Sequence, residues 1–151
     1  MFEKYSEKTS RAIFFSRREA GESGATAIDT VHLLLGLLRE DEARFKRLTG
    51  MPDLSTMVRA RLEARLRKQY RVPGSVDIPI ANEYKEVLVQ AADEASMLSS
   101  ASIEPQHFLL AILRMKECLA ANILMNTGLT YDSLRDAIAD EPQRGRSNTL
   151  N

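Results

Sequence analysis

The sequence predicts an all-α protein made of two tandem four-helix units, on three observations. The segment Asp29-Thr30-Val31-His32-Leu33-Leu34-Leu35-Gly36-Leu37-Leu38-Arg39 returns 75 residues later as Glu104-Pro105-Gln106-His107-Phe108-Leu109-Leu110-Ala111-Ile112-Leu113-Arg114. The same offset joins Glu19-Ala20 to Glu94-Ala95 and Ile28 to Ile103. Around these matches apolar residues recur at three- and four-residue steps, the period of a helix with one buried face. Self-similarity of this kind marks one structural unit and its copy, so any function belongs to a duplicated object rather than to one active site.

Each element has its own justification. In the first unit Ala12, Ile13, Phe15, Ser16 and Ala20 share a face of a helix from about Ser6 to Ser23. Ser6 suits its N-cap, and Gly24 its stop, because glycine adopts the left-handed conformation cheaply. A second helix starts at Asp29 or Thr30, either able to accept from free backbone N–H groups, and runs to about Arg39. It is apolar nearly all round, which predicts a buried central helix. A short third helix over about Glu42–Leu48 ends at Gly50. After Pro52-Asp53, Leu54, Val58, Leu62, Leu66 and Tyr70 step by four and predict a fourth helix ending near Tyr70.

The stretch from Val72 through Pro73-Gly74 to Pro79 breaks every pattern and reads as a linker over 72–80. The copy follows as helices over about Asn82–Leu98, Pro105–Met115, Leu119–Asn126 and Tyr131–Asp140. Pro105 fits a first helical turn, with Glu104 ahead of it as cap. Gly128 answers Gly50 at a spacing of 78 instead of 75, which predicts a third helix one turn shorter in the first unit. The predicted organisation is one domain over 1–140, with repeats at 2–71 and 81–140. Residues 141–151 lack apolar periodicity and read as a flexible tail.

Composition narrows the function classes. The 151 residues suffice for a stable core without staples. Twenty-one basic residues balance 21 acidic ones, so no global field steers the chain to nucleic acid or membrane. A lone cysteine, Cys118, excludes an internal disulfide and fits a reducing compartment. The start has no apolar signal core, and the longest apolar runs fall far below the ~18 residues of a membrane span. These features predict a cytoplasmic protein.

Two tandem units with a Thr/Pro-x-His-x-Leu-Leu helix resemble the Clp repeat, found at the N-termini of Clp-family AAA+ unfoldases. Tyr5-Ser6-Glu7-Lys8, Glu19-Ala20, Ile28, both His helices, Gly50 and Gly128 carry the resemblance, which covers about residues 2–140. It implies two four-helix repeats packed with pseudo-two-fold symmetry, binding adaptors and substrates for an ATPase motor. No Gly-x-x-x-x-Gly-Lys-Ser/Thr phosphate loop occurs in the sequence. In ClpC-type members an acidic residue precedes each His and a hydroxyl caps each first helix, and in some these shape pockets for phosphorylated arginine. Here Val31 and Gln106 replace the acids, and Ala81 replaces the second cap, with Asn82 as a substitute. A guanidinium held bidentately needs an anionic fork, so the sequence argues against phosphoarginine recognition.

Other constellations favour structural roles. His32 and His107 lie on the apolar central helices without the Cys, His or carboxylate partners zinc requires. They read as core histidines whose ring N–H bonds a backbone or cap group, with Leu35 and Leu110 as core neighbours. Cys118 reads as a small buried apolar residue. Gly21-Glu22-Ser23-Gly24-Ala25 lacks the final glycine and preceding strand of a nucleophile elbow. The fourth helix carries Arg59, Arg61, Arg65, Arg67, Lys68 and Arg71 against only Glu63. Arg61, Arg65 and Lys68 share a face that suits an acidic partner. Nucleic acid is disfavoured for want of an aromatic stacking platform.

The expectation is a monomeric, non-catalytic module without cofactor or metal. It would recruit adaptors or client proteins to a Clp ATPase and protease subunit. Binding is expected in grooves between the first two helices of each repeat, lined by Ser6 and Val31 in one and by Ala81 and Gln106 in the other. Two alternatives are an accessory subunit stabilising a Clp protease core and a weak nucleic-acid or acidic-partner binder using helix 59–71.

Overall fold

The computed structural model describes residues 4–65 and 78–141. It contains α1 (Glu7–Ser23), α2 (Thr30–Glu40), α3 (Glu42–Thr49), α4 (Leu54–Arg65), α5 (Asn82–Met97), α6 (Pro105–Arg114), α7 (Leu119–Asn126) and α8 (Tyr131–Asp140). Among the described residues there is no strand, and two isolated parallel bridges are the only extended pairings. Two tandem four-helix repeats therefore form an all-α domain, as the sequence predicts.

The central helices α2 and α6 form the core. Residues 30–38 and 105–113 are buried without interruption. Each is covered on one side by its repeat's first helix, α1 on α2 and α5 on α6, and the two meet across the repeat boundary. Phe45, Leu54, Val58, Leu124, Leu134 and Ile138 close the core from the outer helices.

The repeats clasp each other reciprocally. Ile103 N donates to Lys4 O (2.7 Å) and Ser6 N to Ile103 O (3.2 Å). At the equivalent positions Ile28 N donates to Pro79 O (2.8 Å) and Ala81 N to Ile28 O (3.0 Å). The segment leading into each first helix thus lies beside the segment leading into the other repeat's second helix. That exchange is the pseudo-two-fold relation in hydrogen bonds.

Several local expectations need correction. The third helices are equally long, eight residues each. The extra residues of the second repeat lie mainly in the preceding connection, 115–118, where the first repeat has only Asp41. Ala81 is the N-cap of α5 without a side-chain bond, so Asn82 does not substitute as cap. Of the expected linker, 72–77 lies outside the described residues, while Ile80 pairs with Ile28 in the clasp. The end of the fourth helix, 66–70, and residues 142–151 of the expected tail also lie outside them. Glu141, placed in that tail from sequence, stands 3.5 Å from Arg44 and 4.0 Å from Arg47 on α3.

Duplicated positions carry unequal strain. Gly24 ends α1 at φ 73°, and its counterpart Ser99 adopts φ 55° after α5. A side chain in this conformation costs roughly 1–2 kcal/mol. Ser99→Gly should therefore raise stability by about 1 kcal/mol, read as a higher urea midpoint at unchanged slope. At the α1–α2 crossing a Cβ on Gly36 would stand 2.3 Å from Ala12 O and 2.8 Å from Ser16 N. Gly36→Ala should cost about 1–3 kcal/mol in the same measurement, although the second repeat carries Ala111 at this position.

Candidate functional site

The site begins at the N-terminus of α2, where buried backbone donors need partners. Asp29 Oδ1 accepts from Thr30 N at 2.7 Å, and Asp29 N donates to His32 Nδ1 at 2.9 Å. Glu104 N donates to His107 Nδ1 at the same 2.9 Å. Histidine occupies the place that glutamate or glutamine takes in an ordinary capping box. The geometry reverses the expected role: the ring nitrogen accepts from the cap rather than donating to it. Nδ1 is therefore unprotonated, and the neutral ring carries its proton on Nε2. Burial lowers the pKa of both rings, that of His107 to about 4. For His32 the nearby carboxylates Asp29 and Glu19 oppose the shift. Among the described residues no group of three or more His, Cys, Asp or Glu is placed to hold a metal ion.

Beside this cap a cleft of about 440 Å³ opens between the end of α1, the loop after it, α2, α4 and the start of α7. Val31, Leu35, Leu62 and Leu119 give it apolar walls. Glu19, buried on α1, is held bidentately by Arg59 of α4, Nη1 to Oε1 at 3.3 Å and Nη2 to Oε2 at 2.7 Å. Ser23 Oγ lies 3.4 Å from His32 Nε2. Glu22 and Glu63 are exposed at the rim, and Asp29 adds a third carboxylate there.

The predicted site residues are distributed differently from the expectation. Val31 lines the cleft; Ser6, Ala81, Gln106 and Arg61 do not. Ser6 caps α1, its Oγ accepting from Thr9 N. Through the clasp Ser6 lies beside the segment leading to Gln106, and Ala81 beside the segment leading to Val31. The expected within-repeat pairs are exchanged between repeats. Gln106 is buried, and its Oε1 has no hydrogen-bond partner. His32, His107, Leu35 and Leu110 are all buried.

Arg61 is exposed, whereas Arg65 has its side chain, and Lys68 its whole residue, outside the described part. Arg59, one of the basic residues of the fourth helix though not of the Arg61, Arg65 and Lys68 face, is committed to Glu19. The counterpart of Glu19 is Glu94, fully buried, which accepts from the Tyr131 hydroxyl at 2.7 Å. Arg114 Nε stands 2.8 Å from Glu94 Oε2 as an ion pair without hydrogen-bond alignment. The repeat singled out Glu19 and Glu94; nothing in their spacing reveals Arg59, Tyr131 or Leu119 as neighbours, because those come from other helices.

A duplicated helical bundle with two histidine-capped central helices and a single-chain pseudo-dyad defines a double-repeat domain. The chain belongs to the Clp repeat (R) N-terminal domain family, which matches residues 4–91 and again 80–151. It is 28% identical over 139 residues to the negative regulator of genetic competence ClpC/MecB of Bacillus subtilis, covering 91% of this chain and 17% of that protein. It is 30% identical over 140 residues to the ClpA homolog of Cyanidium caldarium, an ATP-binding subunit of an ATP-dependent Clp protease, covering 91% and 16%. The chain thus spans less than a fifth of the length of these relatives. The fold is shared with the N-terminal domain of ClpD from Arabidopsis thaliana, at TM-score 0.72 and 23% identity over 93% of this chain and 95% of that one. It is shared also with the Hsp104 N-terminal domain of Candida albicans, at TM-score 0.73 and 18% identity over 93% and 92%. No helix among the described residues is long and apolar enough to cross a membrane.

The histidine caps make stability depend on pH. Folding lowers both imidazole pKa values, so between about pH 4 and 6.5 the unfolded chain binds more protons than the folded one. The contribution of His107 is complete above about pH 6.5 and is lost as pH falls toward 4, and that of His32 is lost in the same direction. For His107 the loss should be about 3 kcal/mol, read from urea unfolding at stepped pH. His107→Gln keeps an acceptor at the third position of the box and should flatten that share of the pH profile.

Proposed function

We propose that this domain is a non-catalytic protein-binding module that recruits adaptors or substrate proteins to a Clp-type ATP-dependent unfoldase and protease. The observation that carries the reading is the open, apolar-walled cleft at the capped start of α2, on a family scaffold whose relatives include an ATP-binding subunit of a Clp protease. A concave site with apolar walls and a few fixed polar groups is the usual form of a binding pocket. The central helices and buried histidines hold that surface in place, and the family resemblance supports a role in presenting proteins rather than in chemistry. The module acts as a monomer in the cytoplasm.

The basic-helix alternative is weakened because Arg59 is already paired with Glu19. The accessory-subunit alternative is separated by what co-elutes. Mixing with the peptidase barrel alone, without its ATPase, should give no complex on size exclusion. Fluorescence anisotropy with a permanently unfolded client should show saturable binding. Ala27 lines the cleft on the loop after α1, and Ala27→Trp should weaken binding about tenfold, equivalent to ~1.4 kcal/mol, with an unchanged circular dichroism spectrum. Absence of saturable client or adaptor binding would sink the recruitment reading.

A further inference from the structure

We infer that the α2 cleft selects an apolar side chain flanked by lysine or arginine in an extended peptide segment. This deepens the protein-binding reading and rests on it. The apolar part follows from the walls: Val31, Leu35 and Leu62 of the first repeat are joined by Leu119 of the second. At about 440 Å³ the cleft lies in the lower part of the range for ligand pockets, roughly 300–1,000 Å³. That suits one large side chain with its neighbouring backbone better than a folded surface.

The cationic part follows from the charge around those walls. Four carboxylates line the cleft, Glu19, Glu22, Asp29 and Glu63, against one guanidinium, Arg59. Arg59 directs both terminal nitrogens to Glu19, so that pair is internally neutralised. His32 adds no charge, because its Nδ1 is an acceptor and its pKa is lowered. Glu22 has a loose contact with Arg18 at 3.9 Å between half-exposed side chains, a pairing of little worth at a surface. Glu63 and Asp29 add to the negative mouth. The chain as a whole is neutral, so this potential is local to the cleft.

An anionic segment is the rival occupant, since a helix N-terminus attracts negative charge. At α2 that attraction is already met from within: Asp29 places its own carboxylate on the first amide, Thr30 N. A second anion would meet Asp29, Glu22 and Glu63 at close range. Opposite charges across an interface set specificity more than total affinity, so the flanks should act as a selector on top of apolar docking.

The test uses three fluorescein-labelled peptides of one length with the same leucine-centred core, flanked by Lys/Arg, by Ser or by Glu. Anisotropy titration should give a dissociation constant about tenfold lower for the basic flanks than for serine, and lower still relative to glutamate. The advantage should shrink between about 0.05 M and about 0.5 M salt, where the Debye length falls well below ~10 Å. Glu22→Gln with Glu63→Gln, both exposed and outside the core, should cut it to about threefold or less, the part left to Asp29, with the serine-flanked peptide still binding saturably. Ala27→Trp should weaken all three. Equal affinities, preference for the glutamate flanks, or a basic preference undiminished in the double variant would overturn the inference. An unfolded client that still binds in that case leaves the recruitment reading standing, which separates the two failures.

Discussion

The constraint on which this domain depends is the burial of two helix N-termini. Placing α2 and α6 at the centre lets two nearly all-apolar helices supply most of the core, but it carries their first backbone donors away from water. Such donors must be paired within the protein. Two devices meet the need. Inside each repeat the cap residue and the histidine three positions later close a box. Between repeats, the extended residues Ile28 and Ile103 just ahead of those caps are paired by the segments that lead into the opposite repeat's first helix. Each repeat thereby supplies the backbone partners that the other's extended segment needs.

Duplication fixed the frame and left the fillings free to diverge. Thr9 and Tyr84 occupy the same inward position on α1 and α5. Thr9 sends its hydroxyl to Ile103 O at 2.7 Å, and the longer Tyr84 reaches Ser16 at 2.8 Å. Gly36 and Ala111 occupy equivalent crossings, and that of the first repeat has no room for a methyl group at this position. The buried carboxylates Glu19 and Glu94 are held by unrelated groups, a guanidinium from α4 and a phenol with an arginine from α8 and α6. An isolated carboxylate in such a place would cost several kcal/mol, so each slot requires some donor but does not dictate which helix supplies it.

That distinction explains what could be read from the chain. The helix count, the central positions of α2 and α6, Ser6 and Glu104 as caps, and the glycine stops are local or periodic properties, and a one-dimensional pattern carries them. The reciprocal clasp is not local. It pairs residues about a hundred and about fifty positions apart, through backbone groups that do not depend on side-chain identity, one acceptor being the carbonyl of Pro79. For the same reason Ser6 was assigned to Val31 rather than to the neighbourhood of Gln106. The cleft is only partly legible: Val31 and the α1–α2 side belong to the expected groove, whereas the walls from α4 and from Leu119 of the second repeat are set by tertiary packing. Arg59 misled because a charge on a helical wheel looks solvent-facing until a buried carboxylate is found beneath it.

The divergence at the two carboxylate slots changes what surrounds each acid. In the second repeat Tyr131, at the start of α8, lays its hydroxyl on Glu94 while Arg114 stacks over its ring with the guanidinium carbon 5.3 Å from the centroid. Glu94 is fully buried there. In the first repeat a single flexible arginine from the middle of α4 spans to Glu19, so the acid is neutralised without an aromatic body above it. The room left between α4 and the α1–α2 loop is the cleft, and the exposed carboxylates Glu22 and Glu63 give it a sign. Two copies of one scaffold thus hold the same buried glutamate with partners from different helices, and only Glu19 of the two lines the cleft.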